Sequence, residues 1–547
     1  MAPSEDCGWL LYLSLAAKCG DPHRLLGFAA VFAAAFVVTA LLHWAAPGGP
    51  AWGWYWWTRR AGLGIGAAIP GPRGLPVLGS MGLMTGLAHR KLAAAAAAGG
   101  KARRRLMAFS LGETRVVVTA DPDVARELLA SAAFADRPVK ESAYGLLFDR
   151  AIGFAPHGAY WRALRRVASA HLFSPRQIAG SAAQRAVIAR QMVDAMMKEC
   201  SGTTAPGGVV TARRFLKRAS LHNVMWSVFG RRYELQTRSE EAAELKCLVD
   251  EGYDLLGQLN WSDHLPWLAC FDLQRTRARC SALVPRVNRF VGRIIDEHRA
   301  ARLGHGAASA VMDFTDVLLS LQGSDKLSDA DMIAVLWEMI FRGTDTVAVL
   351  IEWVLARLVL HQDVQRRAHE ELDRVVGPGQ TVTESDTASL VYLQAVIKEV
   401  LRLHPPGPLL SWARLATSDV HVGGFLVPAG TTAMVNMWAI THDPAVWPDP
   451  NEFKPERFVG SSGHADEFPV MGSDLRLAPF GSGRRVCPGK SLAMATVGFW
   501  VATLLHEFKW LPVSDDPPRG VDLSEVLRLS CEMAAPLEAR LVPRHAA

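Results

Sequence analysis

Phe480-Gly481-Ser482-Gly483-Arg484-Arg485-Val486-Cys487-Pro488-Gly489 places one cysteine between glycines and an arginine, directly ahead of a helix-like run from Lys490 to Trp510. The positive end of such a helix favours an ionised sulfur. A soft iron centre takes a thiolate ligand, so the stretch reads as the seat of a haem iron bound through sulfur. The glycines allow backbone to lie close beneath a flat macrocycle, where amide N–H groups temper the charge on sulfur. Arg485, two residues before the cysteine, is placed to meet a haem propionate through charge-assisted hydrogen bonds. For a single cysteine the ordinary alternative is a buried, unreactive thiol at a loop-to-helix junction. The whole decapeptide favours the haem reading.

The 547 residues have room for several average domains or one large core. Hydrophobic residues make up 50% and charged residues 20%, a globular composition with a slight membrane lean. A net charge of +6 is small for this length and gives little reason to expect nucleic acid. The eight cysteines are scattered, with no C-x-x-C pair and no paired histidine motif. That pattern excludes a zinc module or a disulfide-dense secreted fold and suits a reducing, cytosol-facing compartment.

Leu25 to Leu42 is uncharged and just long enough to span a bilayer, and Trp44, Trp52, Trp54, Trp56 and Trp57 suit the interface that follows. A cleaved signal peptide competes with this reading, but the run is long for one and a proline-rich connector follows it. The expected organisation is a luminal segment over 1–24, a transmembrane anchor over 25–44, a linker and hinge over 45–78, and a catalytic domain over 79–547. Ile69-Pro70-Gly71-Pro72-Arg73-Gly74-Leu75-Pro76 cannot be helical, because its prolines remove donors and fix the backbone. Ala93–Ala98, Gly99-Gly100 and the basic Lys101, Arg103, Arg104 and Arg105 read as a solvated loop or a contact with anionic lipid. The remainder is mostly helical, with short strands near Arg115–Thr119 and over Val420–Asn436. The longest helix is expected from Ser328, an N-terminal cap, to about Leu360.

Within that helix stands Arg342-Gly343-Thr344-Asp345-Thr346. Glycine and threonine are poor helix formers, so a local widening is expected here, with room for a small ligand. Asp345 beside Thr346 can move protons from solvent to dioxygen, the alcohol holding the hydrogen bonds. A kink with threonines bonded to the preceding turn is the plainer alternative, and the cysteine stretch decides for oxygen chemistry. Arg342 and Thr346 share a helix face, so Arg342 is a candidate anchor for an anionic substrate group. Arg342 also lies four residues after Glu338, and an intrahelical pair between them is the competing account. Glu399 and Arg402 sit one turn apart before His404-Pro405-Pro406, and Trp161 and Arg165 share another helix face. Both pairs are also compatible with ordinary solvated or amphipathic faces. No flavin or nicotinamide motif is present, so electrons must come from another protein.

The decapeptide matches Phe-x-x-Gly-x-Arg-x-Cys-x-Gly, the haem signature of the cytochrome P450 superfamily, at every specified position. The chain resembles that superfamily further in Gly343-Thr344-Asp345-Thr346, Glu399-Val400-Leu401-Arg402, Pro455-Glu456-Arg457-Phe458 and Trp161-x-x-x-Arg165. Arg342 departs from it, standing where the family has a small residue. The resemblance implies a mainly α fold with small β-sheets (α+β), one large haem domain behind an N-terminal transmembrane helix. It implies haem b on Cys487, with Phe480, Gly481, Arg485, Trp161, Arg165 and, at one residue's longer spacing, Arg414 around the cofactor. Asp345 and Thr346 become the oxygen-activating pair, and Glu399, Arg402 and Arg457 a buried ion triad. It further implies a single-pass endoplasmic reticulum protein with its catalytic domain in the cytosol and membrane lipid around its anchor, taking electrons from NADPH-cytochrome P450 reductase. Trp337 to Thr346 and Pro405 to Arg414 resemble the plant family-78, subfamily A enzymes, the group of the plastochron and giant-embryo growth regulators. That likeness implies hydroxylation of a small lipophilic molecule, with fatty-acid chemistry suggested, in the control of organ growth. A haem-thiolate isomerase or dehydratase and a non-catalytic haem sensor are the rival functions.

Overall fold

One helix organises the core. Asp329–Leu360 runs for 32 residues, started by Ser328, whose hydroxyl accepts the Asp331 N–H at 3.2 Å while the Asp331 carboxylate accepts the Ser328 N–H at 3.3 Å. This reciprocal box satisfies two otherwise orphaned donors. Apolar side chains on every side bury the helix through its middle, with Leu336, Ile351, Val354 and Leu355 fully enclosed. The computed structural model describes residues 22–59, 67–202, 208–234, 240–304, 313–410, 413–460, 469–472, 474–513 and 521–545. Most of the segment expected to be luminal, and Ser411 and Trp412 of the family-78 likeness, lie outside them.

The widening expected at Arg342–Thr346 is not there: the helix is α-helical without a break. Thr344 bonds back to the Ile340 carbonyl at 2.7 Å without disrupting the ladder. Gly343 serves close packing instead. A Cβ on it would stand 2.6 Å from Cγ2 of Val224, on the neighbouring helix Ala212–Phe229.

Helices Val391–Leu403 and Lys490–Glu507 pack on the other side of this axis and share its apolar core through Val396, Val400, Val501 and Leu504. Lys490–Glu507 ends three residues before the expected Trp510, because Phe508–Leu511 joins a sheet with Glu538–Pro543. A mixed four-stranded sheet flanks the helices in the order Met107–Leu111, Thr114–Thr119, Thr432–Val435 and Arg414–Leu415. Thr114–Thr119 is parallel to Thr432–Val435, with Val116 opposite Thr432. Two small hairpins with strands of three residues each, Val420–Val422 with Phe425–Val427 and Glu525–Leu527 with Cys531–Met533, complete a helix-rich fold with small sheets.

Towards the N-terminus, Pro22–Trp44 is helical and its Val31, Phe32, Phe36, Val38 and Leu42 are exposed. Among the described residues no helix is long and apolar enough to cross a membrane. Inside the stretch expected to be linker, Pro50–Arg59 forms a helix that docks through buried Trp52, whose indole N–H donates to Phe109 O at 3.1 Å. The proline-rich connector is non-helical and lies on the sheet, Pro70 O accepting from the Ala108 N–H at 2.9 Å. The alanine-rich stretch is not a loop: Ala88–Ala98 and Gly100–Arg105 are helices broken only at Gly99. Alanine's high helix propensity outweighs its low complexity there.

Candidate functional site

The Cys487 loop is a tight knot of backbone. Gly481 and Gly483 both have positive φ, and a Cβ on Gly483 would fall 2.0 Å from Leu129 O, so only glycine lets this turn close. The Cys487 N–H donates to Phe480 O at 3.0 Å, and helix Lys490–Glu507 starts just beyond Gly489. Burial pushes the Cys487 thiol up, while the Gly489 N–H, Arg342, Arg165 and Lys490 pull it the other way. A metal ion deprotonates a coordinating thiol outright, so these donors suit a ligand more than a free nucleophile.

Guanidinium groups converge on this loop. Arg165, on the Ala159–His171 helix, donates to Val486 O at 2.6 Å. Arg485 is buried, donating to Ala135, Ile152 and Ala155 carbonyls at 2.8, 3.1 and 2.7 Å, and its guanidinium lies 4.3 Å from the Trp161 ring. Trp161 is itself fixed by Ile152 O at 2.9 Å. Arg414 is buried in the sheet, and its nearest loop acceptor is Ser482 O at 3.5 Å. The sequence offered no sign of a further member, Arg137, which donates to Gly153 O at 3.1 Å and Ala413 O at 2.9 Å. It stands in a loop brought to the sheet by the Asp136–Leu415 bridge, a contact between distant segments that no local pattern announces.

These cations depress one another. Burial, then Arg485, pulls Arg414 down to about 9. Burial lowers Arg485 to about 10 against the opposing pull of Asp136, and Arg137 falls well below its usual value through burial, Arg414, Arg485 and Arg342. Clustered buried cations call for anionic company. Haem carries two propionates and an iron that takes a thiolate, and the donor set around Cys487 fits both.

On the long helix, Asp345 is buried and its Oδ1 is 2.9 Å from Lys217 Nζ, whereas Thr346 is exposed. Arg342 pairs with Glu338 Oε1 at 3.1 Å, and Glu338 Oε1 also accepts the Gly153 N–H at 2.8 Å. Burial raises the Glu338 carboxyl, and Arg342 and the Gly153 and Ile152 N–H groups oppose that rise. Arg342 acts electrostatically on both Cys487 and Arg485, so the helix and the cysteine loop face a common region.

Glu399, Arg402 and Arg457 meet in the core. Arg402 binds both Glu399 oxygens at 2.8 Å in a bidentate fork, and Arg457 Nε reaches Glu399 Oε1 at 3.3 Å. Glu399 and Arg402 are fully buried, and Arg402 spends its other donors on the Thr441, Pro450 and Glu452 carbonyls.

A protein-family model described as Cytochrome P450 matches residues 69–531. Cytochrome P450 78A9 of Arabidopsis thaliana is 62% identical over 548 residues, covering 100% of this chain and 99% of its own length. Cytochrome P450 78A6 of Arabidopsis thaliana is 62% identical over 509 residues, 92% of each chain, and cytochrome P450 78A3 of Glycine max is 58% identical over 540 residues, 99% of each.

Proposed function

The chain belongs to the cytochrome P450 family, in its 78A group, and is a dioxygen-dependent monooxygenase that binds haem through a cysteine thiolate; from that premise we propose that Cys487 is the residue whose sulfur would hold the haem iron. Convergence of Arg165 and Arg414 on the loop that carries Arg485 is the observation that carries the assignment, since no other cysteine among the described residues is set in such a cluster. When bound there, haem supplies the activation of dioxygen. Arg165, Arg485 and Arg414 would hold the propionates, Trp161 stacks against Arg485 and sets its plane, and Phe480 and Gly481 close the loop around the sulfur.

On the long helix, Asp345 would take up protons from solvent and the Thr346 hydroxyl would hold them ready for the oxygen chemistry that haem would supply. Asp345→Asn and Thr346→Ala are each expected to lower product formation by about 10²-fold while NADPH oxidation falls less, the difference appearing as peroxide. Measuring NADPH, oxygen and peroxide together checks this; proportional loss of all three would count against a proton role.

The substrate is a small lipophilic molecule, a fatty acid or a signal derived from one, and the activity serves plant organ growth and cell proliferation. Electrons come from NADPH-cytochrome P450 reductase, whose acidic surface the exposed Arg162 and Arg484 near the cysteine loop would meet. The protein sits in the endoplasmic reticulum membrane by the segment 25–44, with its catalytic domain in the cytosol. Exposed apolar side chains along Pro22–Trp44 support this, because such a row is costly in water.

Arg342 serves as the counter-ion of Glu338 and not as a carboxylate anchor. Arg342→Ala is therefore expected to weaken a fatty acid and its methyl ester equally in substrate-binding spectra, and to destabilise the fold by stranding buried Glu338. A loss confined to the acid would restore the anchoring role.

A further inference from the structure

Histidine nitrogens gather, buried and unbonded, where strand Glu538–Pro543 hands the chain to Arg544 and His545. His506, near the end of helix Lys490–Glu507, is 1% exposed. Its Nε2 is 2.8 Å from Gln380 O, so in the neutral ring Nε2 carries the proton and Nδ1 the lone pair. That Nδ1 is buried with no hydrogen-bond partner among the described residues. The His545 ring stands 4.7 Å away at 43°, and its Nε2 is equally buried and unbonded. One carboxylate oxygen of Asp373, on helix Gln362–Val375, lies within 4.8 Å of a ring nitrogen of each, and those two nitrogens lie as close to one another. One turn before Asp373, His369 adds a third buried nitrogen, Nε2, without a partner.

An ion pair accounts for only part of this corner. Arg544 Nη2 donates to both Asp373 oxygens at 2.8 Å, and Nη1 donates to Leu505 O and His506 O at 3.3 and 3.2 Å. These bonds already tie the strand exit to both helices, and they do not use the imidazoles. Enclosing a polar nitrogen without a hydrogen bond is unfavourable, and here it happens at two rings beside one carboxylate. A bound cation resolves this. A tetrahedral ion with ligands at about 2.0 to 2.1 Å sets its donor atoms about 3.3 Å apart, within a rotation of the Asp373 and His545 side chains. Burial and the charge of His545 keep His506 below its usual value, in the neutral form that binds a metal. Arg544 leaves each Asp373 oxygen a second lone pair, and Asp373, 43% exposed, gives an ion a way in from water.

We propose that Asp373, His506 and His545 form a binding site for a divalent transition-metal ion of zinc's class, which clasps the exit of strand Glu538–Pro543 to the two helices. Two imidazoles and one carboxylate suit such an ion better than calcium or magnesium, which prefer all-oxygen sets. Gln380 O orients His506 from outside the ligand set, and water completes the coordination. None of the three ligands belongs to the cysteine loop or its arginine cluster, so the ion is separate from haem.

The test uses the tag-free, full-length, haem-loaded protein with zinc chloride as the probe, after dialysis against a chelator. Titration against a chromophoric zinc chelator, with elemental analysis, is expected to give about one zinc per haem, and the thermal unfolding midpoint to rise about 2 °C at about a hundredfold excess over Kd. His545→Ala and Asp373→Asn should each weaken zinc binding at least about tenfold and abolish the rise. His421→Ala, on the exposed face of the Val420–Val422 strand, should bind as the wild type does. An unchanged reduced carbon monoxide spectrum in every variant separates loss of the site from misfolding. The proposal is overturned if the wild type takes up no zinc, or if His545→Ala and Asp373→Asn keep wild-type affinity. Equal weakening in His421→Ala would mean an adventitious ion only and would overturn it too.

Discussion

Cys487→Ala is expected to reduce NADPH-driven oxygen consumption to the background of the reductase alone and to erase the thiolate signature from the reduced carbon monoxide spectrum. The loop around this residue is built from glycines that no other residue replaces and from backbone bonds that do not involve the sulfur, so it should survive the change. What disappears is the soft anionic donor. Cys487→Ser tests the same point more finely, because a serine hydroxyl keeps the shape but is far harder to ionise than a thiol. Its variant should retain part of its haem through the arginine cluster while losing turnover. Cys247→Ser is the control: that thiol is exposed on the Glu240–Gly257 helix, and its loss should leave both readouts intact. Cys280 is a second control: it is buried against Ser142, whose carbonyl oxygen accepts from its thiol at 3.9 Å, and lies outside the arginine cluster. If Cys487→Ala kept its oxygen consumption, the assignment of Cys487 as the sulfur that would hold haem would fail whatever the family.

Legibility in the sequence followed the distance over which each contact acts. Ser328 and Asp331 are three residues apart, so the start of the long helix was visible in the chain, as was the pairing of Arg342 with Glu338 one turn away. The cysteine loop was visible because its glycines and its arginine are packed into ten consecutive residues. Arg137 and Lys217 were not, because their partners lie hundreds of residues away or on other elements and leave no spacing to read. The same reason hid the strand Phe508–Leu511, which looks like the tail of a helix until Glu538–Pro543 pairs with it. Gly343 was read for its low helix propensity, whereas its absent side chain is used by Val224. Local propensity and close packing both favour glycine, and only the neighbouring helix tells them apart.

The second large effect belongs to the triad. Glu399→Ala should destabilise the protein by about 3 to 5 kcal/mol, because it leaves the fully buried Arg402 with a charge and no counter-ion. Arg402 cannot turn to water for relief. Its remaining donors bind the Thr441, Pro450 and Glu452 carbonyls, so the guanidinium is held in place, and the Trp447 ring lies 5.5 Å from it. The loss should spread beyond one ion pair, since Glu399 also accepts the Lys454 N–H at 2.9 Å and Arg457 at 3.3 Å, fastening the segment 449–458 to the end of Val391–Leu403. Glu399→Gln preserves the acceptor for Lys454 and should cost less than alanine. A paired Glu399→Gln and Arg402→Met change removes both charges, and should be less damaging than the sum of the single losses. Denaturant midpoints, followed by tryptophan fluorescence and by haem absorbance separately, measure these differences. Strict additivity of the two single substitutions would mean that the triad is not acting as a unit.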